Sequence, residues 1–197
     1  DRDFPIIVVN YLGKNKNNVD YVNTNDTTAI RNAIEYLKQN GHEKIAFIGE
    51  KFTLKTKNMV IAAMNALNIP VRNNYFFISE KRFEDAGYEC MEKIYSLQDK
   101  PTAIFTGYDN IALGVMNCIK DHGDSVPNDF SIISRNNISF SSHKTVSLTT
   151  INSNVIKLCE IAIEHMFKKQ DRKHFKIREK ILVKPELVIR NSVKDLT

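Results

Sequence analysis

The chain has 197 residues, of which 42% are hydrophobic and 26% charged, enough apolar material to bury a core and too little bias for a disordered or fibrous protein. No apolar run approaches the length of a membrane span, and Asp1-Arg2-Asp3 lacks the pattern of a secretory signal, so a cytoplasmic protein with no membrane partner is expected. The net charge of +5 is concentrated between Lys168 and Lys180, where seven basic side chains meet two acidic ones; this reads as a solvated run near a loop.

In chain order, Pro5 to Val9, Lys44 to Gly49, Tyr75 to Ile78, Thr102 to Thr106 and Phe130 to Ser134 are short apolar runs of the kind that form strands buried on both faces. Helical spacing fills the gaps. Ile30, Ala33, Ile34 and Leu37 recur at i, i+3, i+4 and i+7, with Asp26 and Thr27 as capping candidates and Gly41 as the stop. Val60, Ala63, Met64 and Leu67 repeat the pattern, as do Ala112, Val115, Met116 and Ile119, and more weakly Gly87, Cys90, Met91 and Ile94. Alternating strands and helices imply parallel pairing with right-handed crossovers, an α/β doubly wound architecture. Beyond Val146 come a helix of Val155, Leu158, Cys159, Ala162 and Met166 and two strand-like runs, Ile181 to Val183 and Leu187 to Ile189. A tail that returns without a linker suits two lobes between which the chain crosses more than once.

Chemistry-bearing patterns are few. Cys90, Cys118 and Cys159 lie on helical patterns at no Cys-x-x-Cys or Cys/His ligand spacing, so reduced, buried thiols are expected, with no disulfide and no metal. His42, after the helix-ending Gly41, reads as a structural hydrogen-bonding residue, and His143 has no partner. With no glycine-rich phosphate loop and no catalytic constellation, neither an enzyme nor a cofactor is expected.

With Gly41-His42-Glu43-Lys44-Ile45-Ala46-Phe47-Ile48-Gly49 after a helix, the sequence resembles the LacI/GalR repressors. The likeness begins at Val19-Asp20-Tyr21-Val22 and continues collinearly through Gly87-Tyr88, Pro101-Thr102-Ala103-Ile104-Phe105, Asp109 with Ala112-Leu113-Gly114, and Val126-Pro127-Asn128-Asp129-Phe130. It then takes in Ser147-Leu148-Thr149-Thr150-Ile151 and Pro185-Glu186-Leu187-Val188-Ile189-Arg190-Asn191-Ser192. The resemblance implies two parallel-sheet lobes of the periplasmic-binding-protein type with the first N-terminally incomplete: residues 1–72 plus 151–176, then 73–150 plus 177–197. It also implies a homodimer that senses a small effector in a cleft between lobes and binds operator DNA through a headpiece missing from this chain. A solute-binding protein of a sugar transporter is the alternative on the same scaffold.

The resemblance assigns candidate ligand residues, several of which depart from the family pattern. Asp109 matches an aspartate at the end of a strand, where a carboxylate either caps the next helix or accepts sugar hydroxyls, and Tyr108 beside it either stacks on a ligand or packs. Thr56 stands where many relatives carry an arginine, and Ser134, Arg135 and Asn136 where they carry glycine, an aromatic and aspartate. Arg82 takes the place of an aromatic, and Asn25 and Asp26 occupy an Asp-Asn motif in altered order, to cap a helix or reach the ligand. The usual polyol-binding fork is therefore absent, and the drift toward positive charge widens the expected effector from a sugar to a phosphorylated sugar.

Overall fold

A computed structural model describes residues 6–11, 19–169 and 179–197. Pro5 and most of the basic run, residues 170–178, lie outside the described residues. Nine strands and five helices follow in chain order among those described: β1 (Ile7–Val9), β2 (Asp20–Thr24), α1 (Asp26–Gln39), β3 (Ile45–Glu50), α2 (Leu54–Ala66), β4 (Phe76–Ser79), α3 (Phe83–Tyr95), β5 (Ala103–Thr106), α4 (Asp109–Asp121), β6 (Ser131–Arg135), β7 (Thr149–Asn152), α5 (Val155–Lys168), β8 (Lys180–Val183) and β9 (Glu186–Val188). None of the described helices is long and apolar enough to cross a membrane.

The chain divides into two units, Asp1–Asp26 with Ser153–Pro185, and Thr27–Asn152 with Glu186–Thr197. This division corrects the boundaries expected from the sequence. Residues 27–72 belong to the second unit because β3 pairs with both β4 and β5, and residues 177–185 belong to the first because β8 pairs with β2.

In the first unit a parallel sheet runs β1-β2-β8, and α5 covers it by setting Leu158 and Ala162 against Val22, Ile7 and Ile181. Asp20, at the start of β2, has no exposed surface. Its carboxylate takes the Lys169 ammonium at 3.0 and 2.9 Å and the Glu179 N–H at 2.8 Å. Those partners hold its carboxyl below the usual range: burial alone would raise it, and the Glu179 N–H and Lys169 outweigh that. Lys169, counted with the basic run in the sequence, is thus a buried partner and not a solvated charge.

In the second unit the sheet order is β4-β3-β5-β6-β7-β9, parallel except for β9. Strand periodicity explains why Ile45–Glu50 is buried throughout. Ile45 and Phe47 face α1 and α2, among Ile30, Ile34, Val60 and Met64; Ala46 and Ile48 face α3 and α4, among Met91, Ile94, Val115 and Ile119. Gly41, at φ +78°, ends α1 as expected, its N–H bonded to the Lys38 carbonyl and that of His42 to the Leu37 carbonyl. Gly87 and Gly114 let α3 and α4 touch along their backbones, since a Cβ at either would collide with the carbonyl of Ile111 or Glu84. The residues after β9 lace this unit together. Ser192 accepts from Thr149 N–H and donates to the Ile132 carbonyl, while His42 bonds Lys194 O at 3.0 Å and Thr102 Oγ1 at 2.9 Å. A carbonyl only accepts, so the proton sits on His42 Nε2, and the residue has the structural role its position suggested.

Candidate functional site

Five parallel strands of the second unit end at one edge of the sheet, and the residues there are polar although sealed. Glu50 closes β3, Ser79 closes β4, Thr106 closes β5 and Arg135 closes β6; Glu50, Ser79 and Thr106 are buried. Glu50 is an unusual resident of such a place, because a carboxylate with a 1% exposed side chain requires a partner. Arg82, the extended residue preceding α3, supplies it: Nε donates to Glu50 Oε2 at 2.8 Å. The guanidinium carbon lies 4.7 Å from the ring centre of Phe52 and 4.6 Å from that of Phe83, so the charge is held between two aromatic rings. Phe83 takes a left-handed backbone, φ +56°, at a cost of about 1–2 kcal/mol for a residue with a Cβ. Its ring also meets Tyr108 edge-on at 6.0 Å.

The Tyr108 hydroxyl and Glu50 Oε1 are both sealed, and neither makes a hydrogen bond of normal geometry. They nevertheless lie near enough for the carboxylate to raise the phenol's proton affinity, second to the effect of burial. Two acceptor or donor atoms with spare capacity, a guanidinium and the exposed rings of Phe52 and Phe83 therefore sit together at the carboxyl edge.

The sequence-derived candidates separate into three groups. Arg82 and Tyr108 fall in this cluster. Thr56, buried on α2, and Arg135 are brought together nearby, with Arg135 Nη1 donating to Thr56 Oγ1 at 2.8 Å. Asp109, Asn136 and Asn25 have other partners. Asp109 is the first residue of α4, not its cap, and its carboxylate accepts three bonds: from Thr150 Oγ1 at 2.7 Å, Ser141 Oγ at 2.8 Å and Ile138 N–H at 2.9 Å. That carboxylate latches the connection between β6 and β7. Asn136 is exposed at φ +101°, and its N–H bonds the Ile151 carbonyl at 2.8 Å. Asn25 belongs to the first unit, its N–H bonded to the Val183 carbonyl, and the neighbouring Asp26 accepts from Thr24 Oγ1.

Sequence reasoning missed Glu50, Phe52 and Phe83. A carboxylate directly after the apolar run Ile45-Ala46-Phe47-Ile48-Gly49 was the available signal, because a charge at that point must find a partner or leave the sheet. The three cysteines are free thiols, but only Cys90 and Cys118 are buried; Cys159 is exposed, since its place on α5 turns away from β2. The absence of a metal-ligand spacing also needs correction at one place, because Cys118 and His122 are one helical turn apart on α4 and face Glu92 of α3.

Residues 34–193 match the family of the periplasmic binding protein-like domain. The chain is 34% identical over 196 residues to the HTH-type transcriptional repressor PurR of Mannheimia succiniciproducens, covering 98% of this chain and 58% of that repressor. It belongs to the LacI/GalR family. A LacI-type transcriptional regulator of Bacillus cereus subsp. cytotoxis has the same fold with a TM-score of 0.85 and 28% identity, over 99% of this chain and 70% of that one. A LacI family regulator of Enterococcus faecium, solved with bound ribose, superimposes with a TM-score of 0.82 at 23% identity, over 98% and 71% of the two chains. This LacI/GalR chain thus spans less than three fifths of the length of the PurR relative.

Proposed function

We propose that this chain is the effector-sensing core of a transcriptional repressor, and that the carboxyl edge of the second unit's sheet contacts a small polyhydroxylated ring, a neutral sugar in preference to a phosphorylated one. The Glu50–Arg82 pair between the rings of Phe52 and Phe83 carries the reading. The half-exposed Arg82 guanidinium, held from beneath by Glu50, offers donors beside the exposed ring faces of Phe52 and Phe83, a combination that grips hydroxyls and covers the face of a sugar. Open parallel sheets take their ligands at this edge. Support for a phosphorylated ligand is weaker than the sequence suggested, because Glu50 offsets the charge of Arg82 and the Arg135 guanidinium is already bonded to Thr56. In the complete protein, operator DNA is the partner of a helix-turn-helix headpiece lying in the part of the relatives that this chain does not span, and the working assembly is a homodimer.

Thermal unfolding of this chain with matched pairs, each sugar beside its phosphate ester, tests the proposal, since a ligand of the folded state raises Tm with concentration. A rise with one or more free sugars, reduced in Glu50→Gln, is expected. A rise with phosphate esters alone, or none with any carbohydrate, overturns it.

A further inference from the structure

We propose that Glu92, Cys118 and His122 form a binding site for a divalent cation of the zinc class where the carboxyl-terminal ends of α3 and α4 meet. One donor atom from each of the three lies within 4.8 Å of the other two. Cys118 Sγ is 3.4 Å from Glu92 Oε1 and 3.8 Å from His122 Nδ1, and His122 Nε2 is 3.7 Å from Glu92 Oε1. Zinc bonds to sulfur, nitrogen and oxygen in a tetrahedron imply donor-to-donor edges of about 3.4–3.6 Å. The two edges that meet at Glu92 Oε1, to Cys118 Sγ and to His122 Nε2, are therefore close to what one ion bridging the three requires.

The imidazole is already oriented for this. Its Nδ1 lies 3.0 Å from the Cys118 carbonyl oxygen, which can only accept, so Nδ1 carries the hydrogen and Nε2 presents its lone pair toward Glu92. Metal-binding histidines are usually steadied through the other ring nitrogen in this way. The Tyr95 ring lies flat against the imidazole, with centres 3.8 Å apart and planes 8° from parallel, and fixes its tilt. A soft sulfur with imidazole and carboxylate selects zinc, cobalt or a like ion over magnesium and calcium, which prefer oxygen alone. With three protein donors, a water takes the fourth position.

In the metal-free protein the thiol stays protonated, because burial and then the neighbouring Glu92 push Cys118 up to about 12. Binding replaces the S–H bond by a sulfur–metal bond and releases the proton to solvent. The site stands away from the Glu50–Arg82 cluster, at the other ends of the same two helices, whose opening turns carry Phe83 and Asp109. A cation there would tie α3 to α4 beyond the close approach at Gly87 and Gly114.

Titration of the reduced chain with cobalt(II) tests the assignment directly. One equivalent should bind with a thiolate-to-cobalt charge-transfer band and the strong visible absorption of a four-coordinate ion, and zinc should displace it. Cys118→Ser should abolish the band, and His122→Ala, at a more exposed position that spares the fold, should weaken binding by at least about tenfold. Cys159→Ser should bind as the parent does, and zinc but not magnesium should raise Tm. Absence of a thiolate band, its persistence in Cys118→Ser, its loss in Cys159→Ser or unchanged affinity in His122→Ala overturns the proposal.

Discussion

Replacing Asp109 by Ala separates a structural latch from a ligand-binding carboxylate. In the native protein this side chain satisfies the Thr150 and Ser141 hydroxyls and the Ile138 N–H, and the two hydroxyl residues have no exposed surface. Hydrogen bonds to an ionised acceptor are worth about 1.5–3 kcal/mol each, and a stranded buried donor costs about 1–3 kcal/mol. Some of that is recovered as hydroxyls rotate and water enters, so the net loss should be about 3–5 kcal/mol, a large share of the ~5–15 kcal/mol that holds a typical protein folded. For a unit of this size each kcal/mol moves Tm by roughly 2–4 °C, giving a fall on the order of 10 °C. Thr150→Val removes one bond and leaves the carboxylate two, so about 1.5–3 kcal/mol is expected. The double variant should then be less damaged than the sum, by about 1 kcal/mol. Urea unfolding followed by circular dichroism measures all three. If Asp109→Ala costs under about 1 kcal/mol, or the two changes add without coupling, the latch is wrong and the carboxylate is free to serve a ligand.

His42 predicts a pH dependence. Burial, only partly countered by Lys194 O and Asp195, lowers its proton affinity in the folded state, so the unfolded chain takes up a proton first as pH falls. Its contribution to stability is therefore complete above the ordinary histidine value near pH ~6.5 and is lost as pH falls through the lowered folded value; His42→Gln should flatten the slope of Tm between pH 7 and 5, and an unchanged slope would assign it to other groups. Gly114→Ala trades a gain of about 1 kcal/mol in helix propensity against a Cβ driven into the Glu84 carbonyl, and a net loss of about 1–3 kcal/mol by thermal unfolding is expected. A stabilised variant would show that α3 and α4 can separate freely.

Much of the fold is legible in the sequence because burial on both sheet faces and helical spacing leave an apolar imprint. Ile45-Ala46-Phe47-Ile48 and Ile30, Ala33, Ile34 and Leu37 are found where their patterns predict a strand and a helix. Strands β2 and β7 left no such imprint. Asp20-Tyr21-Val22-Asn23-Thr24 opens with a buried charge, acceptable only because Lys169 and Glu179 arrive from the far end of the chain. Thr149 and Thr150 fill β7 with polar side chains, tolerated because Arg190 O, the Arg190 N–H and Asp109 meet their hydroxyls. The lobe boundaries were misplaced for a related reason, since which strands pair is decided by contacts remote in sequence. Of the positions aligned with relatives, Arg82, Tyr108, Thr56 and Arg135 come together at the carboxyl edge of the second unit's sheet. The pairing of Glu50 with Arg82 reduces the positive charge expected there, and that of Arg135 with Thr56 occupies a donor; neither is visible until the strands lie side by side.

The placement of β9 sets an order on assembly. The second unit begins at Thr27, but its antiparallel edge strand and the lacing by Ser192 and Lys194 are encoded after the whole excursion of Ser153–Pro185 through the first unit. Until Glu186–Val188 follow, β7 therefore has an unpaired row of N–H and C=O groups on one side, a sticky edge that any strand could extend. The sheet of the second unit therefore closes only after the whole first-unit excursion has been made, and until then the open β7 edge is a site where self-association would compete for the same hydrogen bonds.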